Sequence, residues 1–279
     1  MAVCTGPLEL VAPPTGRVLS LGEARRQCRI DADMTDDDLP LYDLIDQAQE
    51  FCQQEIYGQR QLLTATYRLR LTSWWDGLLQ LPRPPLAVLD AVKYYATSTD
   101  TLTTFSSSSY IVRKPWMQPG TVELHHDYDW PDENSDRREP IYIDFTAGFA
   151  TPFTAAAGTD IITATGRTFT DGDSFQLSKA SDATIPGGLA VNTVYYARDS
   201  SGATCKLAAT SGGAAIDITS AGDGSLFVGE VPGAVKRAML MLIAHWYRNR
   251  ESVLAGSISK EIEMSVEACL GQSKYGAYR

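Results

Sequence analysis

Residues 231–251 read VPGAVKRAMLMLIAHWYRNRE, and this stretch decides how the rest of the chain is parsed. Val235, Ala238, Met239, Leu242 and Trp246 recur at three- and four-residue steps, the spacing that puts side chains on one stripe of an α-helix. Pro232 suits the first helical position, where no amide bond is lost and φ is already helical. Met241, Ile243 and Tyr247 widen the apolar surface, so burial on more than one side is expected.

Immediately upstream the composition changes. Residues 154–229 hold 11 Gly, 11 Thr and 8 Ser but no Glu, a mixture that favours short strands and turns over helices. Short β-like runs are cut by Asp171-Gly172-Asp173, Pro186-Gly187-Gly188, Ser200-Ser201-Gly202 and Ser211-Gly212-Gly213. Turn formers at such regular spacing predict a small all-β sandwich.

Nearer the N-terminus, Leu21, Ala24 and Cys28 share a face over 19–29, a short helix. Leu41, Leu44, Ile45, Ala48, Phe51, Cys52 and Ile56 form a longer one behind Asp36, Asp37 and Asp38, whose charges suit a helix N-terminus. Pro40 is tolerable only in its first turn. From Gln61 the period becomes two, with Leu63, Ala65, Tyr67, Leu69 and Leu71 on one face and Thr64, Thr66, Arg68 and Arg70 on the other. Further strands are expected at 78–81, 88–95, 110–113, 121–124 and 141–145. Ile258, Ile262, Val266 and Leu270 support a last, weak helix.

Helices flanking a β block of uniform composition indicate one host domain, residues 1–153 and 231–279, interrupted by an inserted domain at 154–230. The expected class is α+β: a helical core with antiparallel β segments, plus an inserted small all-β sandwich.

The chain has 279 residues, with 24 Lys and Arg against 34 Asp and Glu, a net charge of -10. Affinity for a phosphate backbone comes from basic side chains, so strong general DNA binding is disfavoured. The five cysteines are scattered, with no Cys-x-x-Cys pair, which predicts unpaired thiols in a reducing compartment and no zinc site of the thiolate kind. The opening MAVCTGPLEL has neither a basic start nor a long apolar run, and no apolar stretch has the length of a membrane span. A secreted precursor or a membrane protein is not expected.

No nucleophile elbow, phosphate loop, zincin helix or dinucleotide fingerprint is present, so no catalytic residues are assigned and no cofactor is expected. His125-His126 followed by Asp127 and Asp129 gathers ligand-capable side chains. Neighbours on a strand face opposite ways, however, so the segment reads as a polar loop and no metal is assigned. The acids at 31–38 lack the central Gly and the final Glu of a calcium loop and read as helix capping. Trp74 and Trp75 before Asp76-Gly77 read as a hairpin whose aromatics pack on the core. His245 reads as a packed, hydrogen-bonded side chain.

Several host segments, taken in order, resemble the head-tail connector (adaptor) proteins of long-tailed bacteriophages. They are Leu19-Ser20-Leu21-Gly22-Glu23-Ala24, the helix from Leu41 with Ala48 and Glu50, the run Leu79-Gln80-Leu81-Pro82-Arg83-Pro84-Pro85-Leu86, Val92-Lys93-Tyr94-Tyr95 and Trp130-Pro131. Ile143-Asp144-Phe145-Thr146-Ala147-Gly148-Phe149 follows, then Val231-Pro232 and the helix ending His245-Trp246-Tyr247-Arg248-Asn249-Arg250-Glu251. Such proteins have only a short loop where this chain carries residues 155–229, and that block more loosely resembles the β domains inserted into phage structural proteins.

The resemblance implies a helical connector core and a structural virion protein at the head-tail interface, assembled in the bacterial cytoplasm. It would form a homo-dodecameric ring beneath the portal protein, extend the channel for genomic double-stranded DNA without binding it specifically, and present a surface to the next connector (stopper) or a tail-terminator protein. The C-terminal arm, with Lys274, Tyr275, Tyr278 and Arg279 and no core of its own, is expected to bind portal. Trp246, Tyr247, Arg248 and Arg250 are expected at a subunit or portal interface, since Tyr, Trp and Arg anchor interfaces. Two alternatives are a glycan- or host-surface-binding virion protein acting through Phe169, Tyr195 and Tyr196 of the β block, and an enzyme with a site around His125 and Asp127.

Overall fold

The computed structural model describes residues 6–31, 33–53, 60–97, 100–115, 118–249 and 258–271. The chain divides into two compact units, Met1–Pro14 with Thr64–Gly148, and Thr15–Leu63 with Phe149–Arg279.

The first unit is built of strands: β1 (Leu8–Ala12), β2 (Ala65–Leu71), β3 (Leu78–Gln80), β4 (Leu86–Tyr95), β5 (Leu102–Phe105), β6 (Tyr110–Arg113), β7 (Thr121–Leu124) and β8 (Ile141–Ala147). They form an antiparallel five-stranded sheet in the order β1-β2-β8-β4-β5 and a three-stranded sheet, β3-β7-β6. The period of two in β2 is what makes this possible. Ala65, Tyr67, Leu69 and Leu71 are buried, while Thr66, Arg68 and Arg70 turn to the other face. Both sheets contribute to one core, in which Ile141, Ile143 and Phe145 of the central β8 meet Leu79, Val92 and Val122. Phe145 is fully buried and stacks on Tyr67, centroids 5.8 Å apart.

On the opposite face Asp144 accepts hydrogen bonds from Arg68 Nε (2.7 Å), Arg68 Nη2 (3.1 Å) and Lys93 Nζ (3.0 Å). Burial alone would raise the Asp144 pKa. The two cations more than offset it and hold the carboxyl below its ordinary value.

The second unit holds α1 (Leu21–Cys28), α2 (Asp38–Gln53), β9 (Ala150–Pro152), β10 (Thr154–Ala156), β11 (Ile161–Thr163), β12 (Ser174–Lys179), β13 (Val194–Ser201), β14 (Thr204–Ala208), β15 (Leu226–Gly229), α3 (Gly233–Arg248) and α4 (Ile258–Gly271). Helix α1 starts with a capping box, the Ser20 hydroxyl accepting from Glu23 N–H and the Glu23 carboxylate from Ser20 N–H. It stops at Arg29, whose φ of 60° is left-handed. Pro40 lies in the first turn of α2, as its missing N–H requires. Pro232 caps α3 from one residue outside the helix rather than from its first position. Helix α3 packs against α1, α2 and α4, burying Val235, Ala238, Met239, Leu242 and Ile243 against a partner stripe of Leu41, Ile45, Ala48 and Cys52.

The strands of this unit form one antiparallel order, β10-β11-β14-β13-β12-β15-β9. Strand β12 joins its halves: residues 174–176 pair with β13 and residues 177–179 with β15. The enclosed core includes Ile162, Phe169, Phe175, Leu177, Tyr195, Leu207 and Val228. At the exit, Gly229 pairs with Ala150 and has φ +87°. A Cβ there would stand 2.3 Å from the Phe149 carbonyl oxygen, so only glycine fits. Helix α1 is tied to the strands, for Ser181 N–H donates to Glu23 (3.1 Å) and Arg26 donates to the Ser181 hydroxyl.

The expected class, α+β with a helical connector core and an inserted sandwich, is therefore corrected. Among the described residues there are fifteen strands in three sheets against four helices, and the protein is mostly β. Residues 64–148 build their own two-sheet core instead of decorating helices, and the helices form one layer of the second unit. The strands of 150–229 make a single hydrogen-bonded order through the shared β12, not two separate sheets.

Candidate interface site

The ends of three helices converge in the second unit. The last turn of α3 carries His245 and Arg248, cations placed where the carbonyl end of the helix favours them. Asn249 caps that end, its backbone N–H and its side-chain amide both donating to the His245 carbonyl at 3.0 Å. The same amide lies 3.1 Å from His245 Nδ1, so His245 is the packed, hydrogen-bonded side chain the sequence suggests.

Trp246 meets Phe51 of α2 edge to face, centroids 6.1 Å apart, and the Tyr247 hydroxyl donates to Asp37 just ahead of α2. Arg25 of α1 bonds Asp38, by its Nε at 2.9 Å and also by Nη2. Cys28, at the end of α1, feels the same groups. Burial pushes its thiol up, nearby Arg248 pulls it down and Asp37 pushes it up again, with a net rise. Near Asp37 and Asp38 in the chain, two large apolar side chains stand in solvent, Met34 at 55% and Leu39 at 77% exposure. Apolar and charged groups side by side at the surface are what a protein-protein contact uses.

Of the sequence-assigned residues, Trp246 and Tyr247 turn partly inward onto α2 and its N-terminal approach, and Arg248 is exposed. Arg250 and the arm with Lys274, Tyr275, Tyr278 and Arg279 lie outside the described residues. Sequence reasoning assigned Asp36–Asp38 to capping and missed that Asp37 and Asp38 bind Tyr247 and Arg25. No local spacing signals Tyr247, 210 residues from Asp37, as a partner.

A second pair of surfaces lies at the edges of the five-stranded sheet. Edge strand β1 exposes Leu10 (51%) and Val11 (49%), and edge strand β5 exposes Leu102. Unpaired strand edges template contact with another chain.

The tryptophans pack on the core as expected, but no hairpin forms there, because β2 pairs with β1 and β8 while β3 pairs with β7. Trp74 stacks on Trp130 at 4.4 Å, and the indole N–H groups of Trp74, Trp75 and Trp130 donate to the carbonyls of Pro131, Val122 and Trp75. They wall an open cleft of about 600 Å³ with no indole donor to spare. Cys28, Cys52, Cys205 and Cys269 are free thiols, and burial pushes those of Cys52 and Cys205 up to about 12, which leaves them unreactive. Among the described residues no helix is long and apolar enough to cross a membrane.

No family model and no curated protein matches the chain. Solved structures do. A chain from the neck of an empty gene transfer agent (GTA) particle, computed with C6 symmetry, and a chain from the virion of a native GTA particle each superpose with a TM-score of 0.54 at 16% identity. Each match covers 98% of this chain and 97% of that one. A chain from the neck of a native GTA particle computed with C12 symmetry gives 0.50 at 15% identity with the same coverage. The chain therefore shares, end to end, a fold found in the necks of phage-like particles.

Proposed function

We propose that this protein is a structural component of a virion neck, an adaptor that forms a ring beneath the portal. The observation that carries the reading is the fold likeness over 98% of the chain to chains of particle necks, joined to the connector-like segments of the sequence. A neck follows the symmetry of a channel, and a ring subunit needs two different lateral surfaces that meet head to tail. The β1 and β5 edges, with Leu10, Val11 and Leu102 exposed, are two such surfaces.

In this reading twelve copies assemble on portal, the arm at 272–279 and the α3 end around Arg248 contact portal, and the opposite surface receives a stopper or tail-terminator protein. The charge of -10 per copy suits a conduit through which DNA slides without adhering. A structural role rather than catalysis follows.

The glycan-binding alternative loses support, because it needs Phe169, Tyr195 and Tyr196 exposed in a groove, and only Tyr196 is even half-exposed. Phe169 and Tyr195 are buried in the β core, and the Tyr195 hydroxyl accepts from Ala190 N–H.

The deciding experiment is cryo-electron microscopy of purified portal rings mixed with the full chain or with a chain ending at Gly271. A ring of added density under portal with the full chain, lost with the shorter one, is expected. Portal rings without added density would overturn the adaptor reading.

A further inference from the structure

Residues 125–127 leave the strand they follow. β7 ends at Leu124, and the chain turns so that Tyr128 N–H bonds the His125 carbonyl at 3.0 Å. Freed from strand alternation, the rings of His125 and His126 stack on the same side, centroids 4.4 Å apart at 29°. Asp127 reaches between them. Its Oδ1 lies 3.2 Å from His126 Nε2 and its Oδ2 lies 3.6 Å from His125 Nδ1. One ligand atom from each of the three residues fits within a 4.8 Å span.

The two distances from Asp127 are close to those of ligands sharing one ion. Ligand atoms bound at about 2.0–2.1 Å in a tetrahedron stand about 3.3 Å from one another, so small side-chain rotations bring all three onto one ion. In the metal-free turn His125 Nδ1 accepts the Asp127 N–H at 3.3 Å, and an ion taken at that nitrogen replaces this weak backbone contact. The Tyr128 ring stands edge-on to the His125 ring at 5.7 Å and restrains its orientation. All three groups reach solvent, so an ion has a path in and water can complete its shell.

We propose that His125, His126 and Asp127 form a surface site for a borderline divalent transition-metal ion, with zinc as the reference case. Two imidazoles and one carboxylate are the donor set such ions take, whereas magnesium and calcium need oxygen ligands throughout. The proposal does not depend on the neck reading and adds a ligand to it.

The test uses tag-free full-length protein, stripped with chelator and titrated with Zn²⁺ by calorimetry, then with Co²⁺ by visible absorption. One equivalent of Zn²⁺ should bind in the micromolar range and resist a large excess of Mg²⁺. The Co²⁺ spectrum should lack the near-ultraviolet charge-transfer band of thiolate ligands. His126→Ala and Asp127→Asn, both at exposed positions, should each weaken binding on the order of tenfold or more with an unchanged melting temperature. The His125→Ala/His126→Ala double variant should abolish it. No Zn²⁺ binding, displacement by Mg²⁺, a thiolate band, or equal binding by the double variant would each overturn the site.

Discussion

Tyr247, in the last turn of α3, donates its hydroxyl to the carboxylate of Asp37, 210 residues earlier in the chain and just ahead of α2. The contact locks the C-terminal end of one helix to the N-terminal approach of another. The side chain that sequence reasoning assigned to an interface thus has a structural duty within its own unit.

Tyr247→Phe keeps the ring and deletes the donor. A hydrogen bond to a charged group in this half-buried place is worth about 1–2 kcal/mol. The variant should unfold at correspondingly lower urea concentration, read by far-ultraviolet circular dichroism. An unshifted midpoint would show the bond to be energetically silent.

Asp144 gives the first unit a pH dependence. Its pKa is lowered on folding, so its contribution is fully present above the ordinary value of 3.8 and is lost as pH falls through the lowered folded value. Asp144→Asn should therefore destabilise clearly at neutral pH, where Arg68 and Lys93 lose their counter-charge, and the difference from the native protein should shrink as the solution is acidified below that value. Urea titrations along a pH series, followed by the fluorescence of Trp74, Trp75 and Trp130, measure it. A difference that stays constant with pH would assign the lost stability to something other than the charge.

The ring reading places the edge of β1 between copies. Leu10→Lys with Val11→Lys puts two charges on that edge at positions already in solvent, so thermal stability should hold within about 0.5 kcal/mol. The isolated native protein should be mainly monomeric and form rings on portal. The double variant should bind portal without closing a ring, as seen by electron microscopy. Intact rings would move the lateral contact away from β1.

Residues 153–226 leave and return at neighbouring points, because Ala150 pairs with Gly229, Thr151 with Val228 and Pro152 with Phe227. Replacing 153–226 by a short Gly-Ser turn should leave the β9-β15 hairpin and both remaining parts of the protein folded, since closure cost changes slowly with loop length. The loss of the Ser181 contacts to Glu23 and Arg26 should cost some stability of α1. A retained cooperative melt supports treating 154–230 as an inserted domain, and an insoluble or non-cooperative product argues that the helices need it.

The local elements whose period is carried by side chains are legible in the order of residues alone. The alternation from Ala65 to Leu71 and the stripe from Val235 to Leu242 lie where burial requires. That order did not reveal β1, an edge strand with little buried face, which exists only through its register with β2. Nor could it show that the strands of 64–148 close a core of their own, because pairing partners such as Ala65 and Ala147 are far apart in the chain.

The packing of the chain set which side chains meet. Alternation along a strand placed His125 and His126 on opposite faces, and a turn one residue past β7 set them side by side. Asp37 looked like a helix cap until the fold brought Tyr247 to it. Periodicity is a local property written in neighbouring residues, whereas the end of a strand and the meeting of residues as distant as Asp37 and Tyr247 are settled by how the chain packs.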